Sequence, residues 1–257
     1  MGLAIRFLLP VLACLAVPPP AQGTELLYDL YVIGTPVAAA GLTIDLAPSR
    51  YRTELHFRTT GLGQVFTGGH LDERVVGQVG HDRLMPQTYD AASVLRGQQR
   101  DVRMTWRAGG PTVTEAIPPN EQEREIVPPA MLQHAADPLS TLVDLLLQVS
   151  RTGGCDRSAR TFDGRRLEIF EARTAGEEII QPTGRSSYAG RGLRCDFTSR
   201  VISGLLTGEA RTEDTRIRHG SIWLARVIPD AVWMPVRARF ELRFIGDATL
   251  YLTSITP

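Results

Sequence analysis

The sequence predicts a mainly β fold, in which about ten or more antiparallel strands form a curved sheet or half-barrel with one main α-helix packed on it. Three observations indicate this fold class. Apolar and polar residues alternate with period two over many segments, turn-forming residues separate those segments, and one segment has helical periodicity. The sequence contains no linker and no internal repeat of fixed period, so residues 24–257 are predicted to form a single domain.

The clearest strand pattern lies at residues 51–59, where Tyr51 and Leu55 point to one side and Arg52 and Arg58 to the other. This alternation is typical of an antiparallel strand with one packed face and one face in water. Further strands are predicted at residues 25–33, 37–46, 71–79, 84–93, 101–107, 112–117, 165–173, 186–198, 213–227, 236–244 and 248–255.

Residues 138–150 are predicted to form the helix. Asp137 suits the N-cap, because its carboxylate can accept a backbone N–H of the first turn, and Pro138 suits the first helical position. Apolar residues then recur about every 3.6 positions until Gly153 and Gly154 end the helix. This stripe predicts a helix that covers one face or an open mouth of the sheet.

Loops and turns are indicated at three places. Asp163 and Gly164 predict a two-residue hairpin, because both central residues of a type I′ turn need positive φ. Residues 118–130, which contain four prolines, predict a surface loop that leads into the helix. The glycines of residues 61–63 do not match a phosphate-binding pattern, so these residues are predicted to form a flexible loop.

The N-terminus predicts export through a cleaved signal peptide, residues 1–23. Arg6 is followed by an apolar run at residues 7–17, which is too short to span a bilayer. Three prolines and a small-residue site come next, so cleavage is predicted between Gly23 and Thr24 and the mature protein is expected in the periplasm. A lipoprotein anchored through Cys14 is the alternative, because residues 11–14 resemble a lipoprotein box.

Removal of the signal peptide leaves two cysteines, Cys155 and Cys195. In an oxidising compartment, two cysteines are most simply a disulfide, which here closes a loop of about 40 residues. Two buried free thiols are the alternative. Neither cysteine has a histidine or a second cysteine at the spacing of a metal site.

The composition excludes some classes of partner. All 28 basic residues are arginine and are balanced by 28 acidic residues, so the chain as a whole carries no basic excess for nucleic acid. Outside the leader no segment reaches 18 apolar residues, so no transmembrane segment is predicted in the mature chain.

A search for catalytic chemistry gives no candidate. The five histidines lack metal-site spacing, and Ser186 and Ser187 lack the pattern of a nucleophile elbow. Glu177 and Glu178 are predicted to lie at a turn with Gly176 rather than to act as a pair of catalytic carboxylates. No catalytic residue, metal ligand or cofactor is therefore predicted.

Several short segments together carry a family resemblance. In chain order they are residues 28–34, 40–42, 51–62, 137–140, Cys155 and 162–166. Their order and spacing resemble exported bacterial proteins of the family domain of unknown function 3108. The resemblance implies a periplasmic, β-rich protein and assigns no catalytic residue. The general shape also looks like the half-barrels of periplasmic lipoprotein carriers, which is an analogy of architecture only.

These observations lead to three hypotheses about function. The first is a non-enzymatic protein that holds a hydrophobic ligand or a lipidated client inside the curved sheet. The second is a structural or interaction protein of the envelope with a filled core. The third is an enzyme whose site is assembled from dispersed residues. A large apolar cavity would favour the first hypothesis, and a packed interior the second.

Overall fold

The structure is a computed structural model that describes residues 23–66, 68–81, 83–208, 215–229, 231–242 and 246–257. Its strands are β1 Thr24–Val32, β2 Thr35–Leu46, β3 Arg50–Thr59, β4 Gly69–Val79, β5 Leu84–Leu95, β6 Gln98–Arg107, β7 Gly110–Ile117, β8 Arg157–Phe162, β9 Leu167–Ile180, β10 Gly190–Ser203, β11 Arg218–Ala225, β12 Met234–Leu242 and β13 Gly246–Thr256. Its α-helices are α1 Gly61–Phe66 and α2 Pro138–Thr152, and 3₁₀ turns lie at Asn120–Gln122 and Pro129–Leu132.

All these strands belong to one antiparallel sheet of 13 strands with the order β7-β6-β5-β4-β3-β2-β1-β13-β12-β11-β10-β9-β8. Strand β1 lies in the middle of the sheet, and the chain proceeds from it through successive antiparallel strands to β7 at one edge. It then crosses through α2 to β8 at the other edge and returns by hairpins until β13 pairs with β1. The predicted fold class, a curved sheet of ten or more antiparallel strands with one main helix, is confirmed.

The sheet curls into a nearly closed barrel because the segment between β7 and β8 fills the seam between the two edges. Ala136 forms a parallel bridge with Thr161 of β8. On the other side of the seam, the indole Nε1 of Trp106 in β6 donates to the carbonyl of Ala135 over 3.0 Å. Farther along the seam, the guanidinium of Arg165 donates to the carbonyl oxygens of Asp101 and Ile117.

Helix α2 closes one end of the barrel. Asp137 caps it by accepting from Ser140 N over 2.8 Å, and Gly153 ends it with a φ of 74°. The Tyr51 hydroxyl at the start of β3 lies 2.6 Å from the Ser140 hydroxyl. The buried residues of α2 are five aliphatic residues together with Ser140 and Thr141. In chain order they are Leu139, Ser140, Thr141, Val143, Leu145, Leu146 and Val149. Helix α2 therefore begins beside β3 and β8 and carries the chain across the barrel.

A disulfide fixes the chain where it leaves α2. Cys155 and Cys195 are bonded, with their Cα atoms 5.9 Å apart, and both residues are fully buried. The backbone N–H of Cys155 also donates to the Thr174 hydroxyl over 2.8 Å. The C-terminal end of α2 is thus tied to the inner face of β9 and β10.

Four local predictions are wrong. The residues 61–63 form the start of helix α1 rather than a flexible loop, and Glu177 and Glu178 lie within β9 rather than at a turn. Strand β8 was not predicted as a separate strand. The hairpin after it has Gly164 and Arg165 as its central residues, because Asp163 N donates to Arg166 O. Of the predicted central residues, Asp163 and Gly164, only Gly164 has positive φ, 88°, so the predicted type I′ turn is not formed.

Candidate ligand-binding cavity

A cavity of about 460 Å³ lies inside the barrel, on the side of α2 that faces the opposite, open end. Helix α2 provides its floor, and strands β8 to β12 provide its wall. Its lining residues are Pro138, Thr141, Leu142, Leu145, Thr161, Asp163, Arg166, Glu168, Phe170, Phe197, Ser199, Arg218, Ile222, Ala238 and Phe240. A volume of this size is within the range of about 300–1,000 Å³ that is typical of small-molecule sites.

The register of the strands explains why the wall is apolar. Residues directly opposite each other in an antiparallel pair point to the same face of the sheet. Ile222 pairs with Ala238, and Gly220 pairs with both Phe197 and Phe240. The missing side chain of Gly220 makes room for aromatic rings, because a Cβ at this position would lie 2.3 Å from the Phe197 ring. The Phe197 ring also lies 5.7 Å from the ring of Phe170.

A cluster of paired charges lies toward the open end of the cavity. The carboxylate of Glu168 accepts from Arg218 over 3.0 Å and from the Ser199 hydroxyl, and Arg166 lies 3.8 Å away. Arg166 also pairs with Asp163 over 2.8 Å. Burial raises the pKa of Asp163, but the Arg166 charge and the donors around the carboxylate outweigh this effect and hold the pKa below its ordinary value. Asp163 is therefore ionised at neutral pH.

Two acidic groups inside the barrel have raised pKa values, in contrast to Asp163. Burial raises the pKa of Glu73 to about 7, although the nearby Tyr89 hydroxyl acts to lower it. Burial likewise raises the pKa of Asp137 to about 6, against the hydrogen bonds from Ser140. Glu73 points inward because it pairs with Leu55 and Ala91 on the inner face. The interior thus favours the neutral form of both carboxyl groups.

Replacement of Glu73 by glutamine is expected to reduce the pH dependence of stability. Because the folded pKa of Glu73 exceeds its ordinary value, the native state binds more protons between pH 4.5 and about 7, and stability falls as pH rises through this range. The difference between pH 5 and pH 8 should be about 2 kcal/mol for this group. Glu73→Gln should therefore raise the free energy of unfolding mainly at pH 8, as measured by urea denaturation.

Glu171→Gln is the matched control, because Glu171 is exposed on the outer face of β9. Its urea denaturation curves at pH 5 and pH 8 should coincide with those of the wild-type protein. A Glu73→Gln variant with the same pH dependence as the wild-type protein would contradict the assignment of a raised pKa to Glu73.

The polar residues that were considered from the sequence do not converge on one site. His56 pairs with Asp72 on the outer face, whereas the His134 ring lies 3.0 Å from the Arg83 guanidinium. Glu177 bonds to Arg191 across the hairpin. Among the described residues there is no group of three or more histidine, cysteine or acidic residues that could hold a metal ion.

The predicted export signal lies almost wholly outside the description. Residues 1–22, which include Cys14, are not among the described residues, so cleavage between Gly23 and Thr24 stays a prediction. Thr24 is the first residue of β1, and a cut at this position would remove no residue of that strand. In the described part of the chain, no helix is long and apolar enough to cross a membrane.

Sequence reasoning missed the charged cluster of the cavity, Glu168, Arg166 and Arg218. Each residue lies in a segment rich in other charges, and Arg218 is 50 positions from Glu168 in the chain. Only the pairing of β9 with β10 and of β10 with β11 brings these residues together. No local pattern in the sequence marks them as neighbours.

The fold and the cavity define a barrel-like β protein with an internal, largely apolar pocket. The chain belongs to the family of proteins of unknown function DUF3108, whose family model matches residues 27–253. The resemblance stated from the sequence is therefore confirmed. No match was found among curated proteins.

Two solved structures are similar to this chain. One is a β-barrel-like protein of domain of unknown function DUF1849 from Brucella abortus, with a TM-score of 0.53 and 11% identity over 91% of this chain and 97% of that chain. The other is a candidate lipoprotein from Parabacteroides distasonis, with a TM-score of 0.32 and 10% identity over 91% of this chain and 95% of that chain. The first similarity shows the barrel-like fold alone, and the second is too low to support an argument.

Proposed function

We propose that this protein is a non-enzymatic periplasmic protein that holds a hydrophobic ligand, or the acyl chain of a lipidated client, inside its barrel. The observation that carries the proposal is the cavity of about 460 Å³ between α2 and the inner face of β8 to β12. A barrel whose only role was structural would gain stability by filling this space, since protein interiors are close-packed.

The chemistry of the lining supports an apolar ligand. Apolar residues make up just over half of the lining, and they are three phenylalanines, two leucines, one isoleucine, Pro138 and Ala238. Such a surface suits an acyl chain or a flat ring system. Burial of an apolar ligand removes about 25 cal/mol of unfavourable hydration free energy per Å² of its apolar surface. The two arginines and two carboxylates of the charged cluster pair with one another toward the open end of the cavity, and the floor that α2 provides is lined by Pro138, Thr141, Leu142 and Leu145.

Substitution of Ala238 by tryptophan is expected to fill the cavity and to abolish binding of an apolar fluorescent probe such as N-phenyl-1-naphthylamine. Ala238 is partly exposed to the cavity and pairs with Ile222 and Leu250, so a larger side chain points into the ligand space. Affinity for the probe should fall at least tenfold. Fluorescence titration of the detergent-free protein, before and after organic extraction, measures this change.

Ala92→Trp is the matched control, because Ala92 is exposed on the outer face of β5 and undergoes the same change of residue. It should bind the probe like the wild-type protein. Equal affinity of the wild-type protein and Ala238→Trp would contradict the proposal and favour an envelope protein that acts through its outer surface.

The intact mass of the exported protein would also show whether it begins at Thr24 or carries a lipid on Cys14.

A further inference from the structure

Six large apolar side chains are exposed at one end of the barrel. This end is opposite to the one that α2 closes. The six residues lie in helix α1, in turns or at strand ends, and they are Ile33, Leu62, Val65, Leu95, Ile117 and Ile217. Their exposed fractions range from 40% to 77%. Single exposed apolar residues are common, but their concentration at one end is typical of an interaction surface. These six residues are called the apolar rim below.

Helix α1 shows that the apolar rim is presented by the fold rather than left over from poor packing. A Cβ at Gly63 would lie 2.1 Å from the carbonyl oxygen of Val37, so the backbone of α1 lies directly against β2. Leu62 and Val65, three positions apart, project from the helix with 55% and 77% of their surface exposed. Helix α1 therefore packs the backbone of Gly63 against β2 and exposes the side chains of Leu62 and Val65, whereas an ordinary surface helix packs its aliphatic side chains inward.

Exposed arginines lie beside the apolar rim. Arg96 and Arg216 are exposed in its turns and Arg58 near the end of β3, and no ion pair joins these three to another described residue. Glu121, Glu125 and Glu241 are also exposed at this end, whereas Asp247 is already paired with Arg239. Apolar side chains interspersed with unpaired arginines are complementary to a bilayer, because the apolar groups enter the acyl boundary and the guanidinium groups contact phosphates.

We infer that the apolar rim, together with Arg58, Arg96 and Arg216, docks this end of the barrel onto the surface of a membrane that contains anionic lipids. The same end is the one toward which the internal cavity opens, because α2 closes the other end. Docking would place the open end of the cavity at the level of the lipid head groups. The inference concerns the surface and holds whether or not the cavity takes a ligand.

The test is flotation of the protein, residues 24–257, with vesicles of phosphatidylethanolamine and phosphatidylglycerol, and with vesicles of phosphatidylcholine alone. The wild-type protein should bind the anionic vesicles and bind the neutral vesicles at least fivefold less at low salt. The double variant Val65→Asp/Leu95→Asp should lose at least fivefold of the bound fraction. Arg96→Glu/Arg216→Glu should lose the preference for anionic lipid.

Met85→Asp/Ile179→Asp is the matched control, because these residues are 42% and 62% exposed and lie at the start of β5 and the end of β9, at the end of the barrel that α2 closes. Its vesicle binding should stay within twofold of the wild-type protein. All the substitutions are at exposed positions, and thermal melts by circular dichroism verify that each variant is folded. Equal binding by the two aspartate variants, or no binding by the wild-type protein, would overturn the inference.

Two further outcomes separate this inference from its competitors. In the first outcome, the wild-type protein is a dimer that does not bind vesicles, and Val65→Asp/Leu95→Asp is a monomer. This result would identify the apolar rim as a contact between two copies and would overturn membrane docking. The Ala238→Trp variant should dock onto vesicles normally, and Val65→Asp/Leu95→Asp should bind the naphthylamine probe normally in solution. Failure of the proposed ligand binding and failure of membrane docking are therefore distinguishable.

Discussion

Replacement of Arg165 by methionine is expected to lower the free energy of unfolding by about 3 kcal/mol or more. Arg165 is only 8% exposed. Its guanidinium donates to four oxygen atoms over 2.6–3.2 Å, and these belong to Asp101, Ile117, Pro118 and Asn120. Methionine has a similar length but cannot donate, so these acceptors would lose a charged donor. Urea denaturation of residues 24–257, followed by circular dichroism, measures the loss.

Arg165→Lys is expected to rescue little of this loss. A lysine ammonium is a point charge, and it cannot present donors in the planar arrangement by which a guanidinium bonds four acceptors. Arg160→Met is the matched control, because Arg160 is exposed on β8 and makes one long contact with the Met131 carbonyl, 3.4 Å. A loss below about 0.5 kcal/mol for Arg165→Met, within the range of ordinary surface substitutions, would contradict the structural role of Arg165.

The size of this effect follows from the position of Arg165 in the barrel. The sheet is not closed by strand pairing, because β7 and β8 are its two edges. The hairpin that carries Arg165 belongs to the β8 side, and three of its four acceptors belong to β6, β7 and the residue after β7. Asn120 adds a reciprocal bond by donating to the Gly164 carbonyl over 2.8 Å. These hydrogen bonds connect the edges at the open end, where Arg166 of the same turn lines the cavity.

The strands that the sequence predicted well are those with a strong local signal. Residues 51–59 alternate cleanly, and the observed strand is Arg50–Thr59, with Tyr51 and Thr53 buried and Arg52 exposed. The helix was predicted with its correct N-cap and extends two residues beyond the predicted end. In both cases burial against the barrel interior has the same period as the element itself, so the local pattern carries the information.

Strand β8 shows where this local signal fails. Its inward positions include Arg157, which pairs with Asp144 of α2, and Thr161, which contacts Thr141. The strand packs against the helix through polar partners, so apolar residues do not alternate along it. Because those partners lie on a separate element, no pattern within residues 157–162 indicates a strand.

Glycine misled the prediction at two places for different physical reasons. Gly61 and Gly63 disfavour a helix intrinsically, but close approach of α1 to β2 requires the missing side chain of Gly63. Gly176 has a φ of 118° and suggested a turn, whereas it lies beside a β-bulge where the pairing of β9 with β10 shifts register. In both cases the cause is a neighbouring strand that the local sequence does not identify.

The second large expected effect is the loss of the disulfide. The double variant Cys155→Ala/Cys195→Ala should be less stable than the oxidised wild-type protein by roughly 4 kcal/mol, because the unfolded chain is released from a loop whose ends are 40 residues apart. Alanine keeps the buried positions apolar, so the change mainly removes the cross-link. Urea denaturation should show a lower midpoint and a larger dependence on urea, since the unfolded state exposes more surface.

The wild-type protein treated with dithiothreitol is the control for this variant, since reduction removes the same bond without changing the sequence. The two should have closely similar urea midpoints. Loss of the disulfide should also make the cavity floor less stable, because Cys155 fixes the C-terminal end of α2 and this helix forms the floor. Amide hydrogen exchange should therefore accelerate more in α2 than in β2 and β3, because the disulfide restrains the end of α2 and does not involve β2 or β3. An unchanged urea midpoint in both the variant and the reduced protein would show that the barrel holds α2 without the disulfide, and that the paired inner face of β9 and β10 supplies the restraint.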